Sequence, residues 1–80
     1  MKVYLVIEDY RDCCESKFKV TPCASFEAAK KIYDPAVTAD MKDWPDTIVT
    51  LSDCYYENFE EGNFDEEHSV IYIEERDVIE

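Results

Sequence analysis

The period of the hydrophobic pattern changes twice along this chain, from two to 3.6 and back to two, and that order restricts the folds open to it. Val3, Leu5 and Ile7 alternate with Tyr4, Val6 and Glu8, which predicts a strand apolar on one face and largely apolar on the other, hence a central one. Arg11 to Ser16 is polar and reads as a turn. Lys17 to Thr21 alternates again, with Phe18 and Val20 expected inward and Lys17, Lys19 and Thr21 outward. Pro22 lacks a ladder donor and suits a strand end or a sheet edge.

The helical period begins at Ser25, a good N-cap. It sets Phe26, Ala29, Ile32 and Tyr33 on one face, with Glu27, Lys30 and Lys31 opposite. Asp34-Pro35 then interrupts, and Asp as a new N-cap with Pro at the first helical position predicts a second helix over 35–43. Val37, Met41 and Trp44 give it an apolar stripe, and these residues with Tyr33 are expected to be core. Thr47 to Tyr56 is β-branched and aromatic and reads as a third strand, and Ser69 to Glu74 as a fourth. Arg76 to Glu80 reads as a fraying end or, through Val78 and Ile79, as an extension of the pairing. The expectation is one α+β domain over residues 1–80, a four-stranded antiparallel sheet with one helix or a Pro-broken helix pair on one face, in the order β-β-α-β-β.

Charge limits the partners. Twenty acids against eight bases leave a formal −12. Residues 1–40 hold seven acids and six bases, whereas residues 41–80 hold thirteen acids and only Lys42 and Arg76. Nucleic acid is bound by cations that neutralise phosphates, so direct contact with DNA or RNA is disfavoured. An anionic membrane is disfavoured by the same sign. A basic protein surface is favoured, because complementary fields steer encounter. The apolar run Val3 to Ile7 is too short for a signal peptide or a membrane span, so a cytoplasmic chain is expected.

The sharpest local feature is the acidic-aromatic segment Asp53 to Glu67. Asp53, Glu57, Glu60, Glu61, Asp65, Glu66 and Glu67 would supply a phosphate-like field, with Phe59 and Phe64 as apolar anchors. The competing reading is a solvated loop, turning at Gly62, whose charge serves solubility. The acids lack the alternation of a calcium loop. Cys13 and Cys14 are adjacent while Cys23 and Cys54 stand alone, so the short knuckle of a zinc site is missing. Cys23 and Cys54 are expected to act as small buried hydrophobes, and the adjacent pair as an exposed redox handle. With one glycine and one histidine, His68, no glycine-rich phosphate loop or nucleophile elbow is possible, and neither catalysis nor a cofactor is expected.

The opening Lys2-Val3-Tyr4-Leu5-Val6, a short hairpin, and then Ala24-Ser25-Phe26-Glu27-Ala28-Ala29-Lys30-Lys31-Ile32-Tyr33 resemble the small β-β-α-β-β proteins of bacteria, phages and mobile elements. In size and acidity the chain is similar to phage-encoded inhibitors of host defence of the anti-CRISPR and anti-restriction kind. That resemblance implies a non-catalytic inhibitor whose acidic face mimics nucleic acid and blocks a basic nucleic-acid-binding protein or nuclease complex of the host. It assigns no functional residues. The rival expectations are a module that dimerises through a sheet edge or its helix, and a cysteine-based metal or redox module.

Overall fold

The structure, a computed structural model, describes residues 2–11, 15–61 and 66–78, with Glu60, Glu61 and Glu66 described through their backbone alone. The chain forms β1 (Lys2–Arg11), β2 (Ser16–Cys23), α1 (Phe26–Asp43), β3 (Ile48–Leu51), β4 (Tyr55–Glu61) and β5 (Glu66–Asp77). The five strands make one antiparallel sheet in the order β2-β1-β5-β4-β3, so the fold is α+β. No helix among the described residues is long and apolar enough to cross a membrane.

Topology decides which sheet face is covered. β2 and β3 are the two edges, and α1 connects them, so the helix must cross the sheet and pack on the face it crosses. Ala29, Tyr33 and Val37 from α1 meet Val6, Cys23, Tyr56 and Ile71 from the sheet, and these form the core. Burying each of the larger aliphatic side chains contributes about 1.5–3 kcal/mol. β1 is central, as its two apolar faces predict, with Val6 buried on the helix side and Ile7 on the other. Pro22 lies in the edge strand β2, where a missing donor costs least.

Four expectations are corrected. There are five strands, because Ser52 breaks the 47–56 run. Its hydroxyl accepts the backbone N–H of Tyr55 (3.1 Å), and its own N–H bonds the Tyr55 carbonyl (2.8 Å), which closes a turn. The single-helix alternative holds and a second helix starting at Pro35 does not: α1 is continuous, and Pro35 sits inside it. An interior proline costs about 3 kcal/mol. The buried Tyr33 and Val37 on either side of it, the 2.8 Å bond from the Tyr33 hydroxyl to the Ser52 carbonyl, and the Ser25 cap on the Ala28 N–H offset that cost.

Phe18 and Val20 do not point into the core. Register pairs Val20 with Ile7 and Thr21 with Val6, so Thr21 and Cys23 take the helix side and Phe18 and Val20 the other. Alternation shows which residues share a face but not which face is covered. Lastly, Cys54 is exposed and Trp44 is partly exposed, while Cys23, Tyr33 and Val37 are buried as expected.

Candidate binding site at the acidic end of the sheet

The acidic segment is a hairpin, not a loop, over its described residues. β4 and β5 pair through Tyr55↔Tyr72, Glu57↔Val70, Phe59↔His68, Glu60↔Glu67 and Glu61↔Glu66. β1 accompanies β5 only as far as Arg11↔His68. The last two rungs therefore run beyond the end of β1, and both set glutamate against glutamate. Like charges in direct register destabilise a ladder, so this end of the hairpin works against folding.

The segment's residues are only partly brought together. Glu57 and Phe59 share a face with His68: the Phe59 and His68 rings meet edge-on at 5.5 Å, and His68 Nε2 lies 3.8 Å from a Glu57 oxygen. The Tyr55 hydroxyl donates to Glu57 at 3.1 Å, and that bond raises the Tyr55 pKa. Phe59 is 40 % exposed, available as an anchor. Glu60, Glu61, Glu66 and Glu67 occupy the two outer rungs. Asp53 stands apart in the β3–β4 turn, where its carbonyl accepts the Lys30 ammonium at 2.8 Å. Phe64 and Asp65 lie outside the described residues, as do Cys13 and Cys14.

Next to the hairpin, a cleft of about 510 Å³ opens between the C-terminal end of α1 and the strand ends. Asp40, Asp43, Glu15 and Glu67 line it, together with Tyr10, Trp44 and Ser69 and the cations Arg11 and Lys17. Sequence reasoning passed over this cleft because its residues come from four separate elements, and pattern within one element cannot reveal it.

The cleft floor is a polar network that locks helix to hairpin. The Tyr56 hydroxyl donates to Asp40 Oδ2 at 2.5 Å, and Ser69 donates to Asp40 Oδ1 at 3.0 Å. Asn58 Nδ2 donates to the Tyr56 oxygen and to the Trp44 carbonyl, both at 2.8 Å, while Thr47 donates to Asn58 Oδ1. The Tyr10 hydroxyl donates to Glu8 at 2.9 Å. Burial first, and then the carboxylate bonds, push the Tyr10 and Tyr56 phenols far above their ordinary value. Tyr33 is pushed up to about 12, mainly by burial. All three are neutral donors at physiological pH. The network thus fixes where the hairpin points relative to the helix.

Among the described residues no group of three or more His, Cys, Asp or Glu is placed to hold a metal ion. What the arrangement offers is a dense anionic end with an aromatic beside it, held on a rigid base. Comparison of the chain with protein-family models, with curated proteins and with solved structures finds no match.

Proposed function

We propose that this chain is a non-catalytic binding protein that occludes a basic, nucleic-acid-binding surface on another protein. The observation that carries the reading is the pair of in-register glutamate rungs, Glu60↔Glu67 and Glu61↔Glu66, at the end of the hairpin. Sequences keep arrangements that oppose folding where function needs them. Strand residues rise about 3.4 Å each, with neighbouring strands about 4.8 Å apart. Successive rungs turn their side chains to opposite sheet faces, so each face of the hairpin end carries one glutamate pair on strands about 4.8 Å apart, comparable with the spacing of phosphates along a nucleic-acid strand, about one per 3.4 Å. On the open face Glu57 extends the field and Phe59 supplies an apolar anchor, while on the helix face Asp40, Asp43 and Glu67 line the cleft.

The partner that fits is a basic groove of a nuclease or other nucleic-acid-binding complex. This is the mode of the acidic phage-encoded inhibitors that the chain resembles in character, and it places the protein in the cytoplasm of a bacterial host.

Competition tests it. Immobilised protein is incubated with the heparin-retained, basic fraction of a bacterial lysate and then washed with duplex DNA or RNA at constant ionic strength. Bound protein released by nucleic acid supports the reading. Bound protein that resists saturating nucleic acid, or a basic fraction from which nothing binds, refutes it.

A further inference from the structure

The second sheet face carries an inference that does not use the acidic rungs. Because α1 crosses only one face, the other has no element lying over it among the described residues. It is nonetheless apolar through its middle. One row across four strands reads Val20, Ile7, Tyr72 and Tyr55, with the two tyrosine rings 5.9 Å apart. Phe18 and Phe59 stand toward one end of it. Phe18 is 68 % exposed, Val20 43 % and Tyr55 37 %.

Away from the hairpin end, two of the three carboxylates on this face are paired with cations of the same chain. Asp9 is paired with Arg11 at 3.2 Å and Glu74 with Arg76 at 2.7 Å, while Glu57 faces His68 and the Tyr55 hydroxyl. Away from the hairpin end, a cationic partner would gain from Glu57 alone here. An identical face packed over its middle would meet repulsion from Glu57 alone.

We propose that this uncovered face is the interface of a homodimer in which two sheets pack face to face. Size agrees. The molecule measures 48 × 21 × 15 Å, so its broad face, hairpin end included, presents on the order of 1,000 Å², against about 800 Å² per partner in a stable interface. Need agrees as well. An 80-residue domain buries a smaller fraction of its surface than larger domains do, and a second sheet would cover apolar side chains that one helix leaves bare. Charge selects the arrangement. With strands of the two copies antiparallel, the acidic ends lie at opposite poles of a body 48 Å long, many times the screening length of about 8 Å at physiological ionic strength. The dimer then presents two anionic ends, one at each pole.

Sedimentation velocity of the whole chain across 1–100 µM tests this, with far-UV circular dichroism on every variant. The expected mass is about twice 9.4 kDa at the upper concentrations. Val20→Glu is expected to give a folded monomer. Leu51→Glu, on the exposed edge strand β3 and on the helix side by its pairing with Tyr56, is expected to leave the dimer intact. A wild-type monomer throughout the range overturns the proposal, as does a dimer that survives Val20→Glu. Hydroxyl-radical footprinting of the wild-type chain needs no variant to fold. Concentration-dependent protection of Phe18 and Tyr55 supports the face-to-face interface, and protection confined to the helix or to β3 overturns it.

Discussion

Replacing Tyr56 by phenylalanine removes one oxygen from the centre of the helix–hairpin lock and changes little else. The side chain is fully buried, and its ring keeps its contacts with Val6 and Ile71 in the core. Asp40 loses a 2.5 Å bond but keeps Ser69, and Asn58 loses one acceptor but keeps the Trp44 carbonyl. A hydrogen bond to a charged group is worth about 1.5–3 kcal/mol, so Tyr56→Phe should cost about 2 kcal/mol. At 4–8 °C per kcal/mol for a domain of this size, Tm should fall by roughly 8–16 °C. Urea unfolding followed by circular dichroism measures the loss as a lower midpoint with an unchanged slope. In an Asp40→Asn background the same substitution should cost only about 1 kcal/mol, because the acceptor is neutral there. A loss below about 0.5 kcal/mol, or an equal loss in both backgrounds, would refute the charged lock.

Alkaline stability follows from the same phenols. Tyr10, Tyr33 and Tyr56 have folded pKa values above the unfolded value of 10, so their contribution is complete below pH 10 and is lost as pH climbs through the folded values. Unfolding free energy should therefore hold level to about pH 10 and then decline, less steeply in Tyr56→Phe; a rise above pH 10 would contradict the assignment. Pro35→Ala should raise stability by about 1–3 kcal/mol in urea, since it restores a helical N–H in the middle of α1. Glu60→Lys turns one like-charge rung into an opposite-charge rung and should stabilise the fold by about 0.2–1 kcal/mol while weakening capture of basic proteins. Thiol-reactive dye should label exposed Cys54 much faster than buried Cys23 in native protein, and at equal rates in denaturant.

Local periodicity was legible in the sequence and long-range placement was not. β1 as a central strand, the capped start of α1 at Ser25 and the two faces of β5 all follow from spacing within a few residues. The covered face did not, because Phe18-Val20 and Thr21-Cys23 alternate equally well on either side until the helix path is known. Pro35 signalled a break that packing of Tyr33 and Val37 overrides. Glu60, Glu61, Glu66 and Glu67 have poor strand propensity and read as loop; their pairing is inherited from the apolar rungs that precede them. For the site, composition pointed to the hairpin but added Asp53, which the β3–β4 turn carries away from it. Asp40 gave no signal at all, since Tyr56, Ser69 and the cleft reach it only in three dimensions.

The central claim is that the acidic rungs bind where nucleic acid would. Its most direct test titrates the captured basic partner with the wild-type chain and with a variant in which Glu60, Glu61, Glu66 and Glu67 are all glutamine, across 50–200 mM salt. The wild type should displace labelled nucleic acid from that partner and lose affinity on the order of tenfold or more over the range, while the variant binds weakly with a shallow salt slope. Equal affinity of the two chains, or a wild-type affinity that does not change with salt, would contradict it.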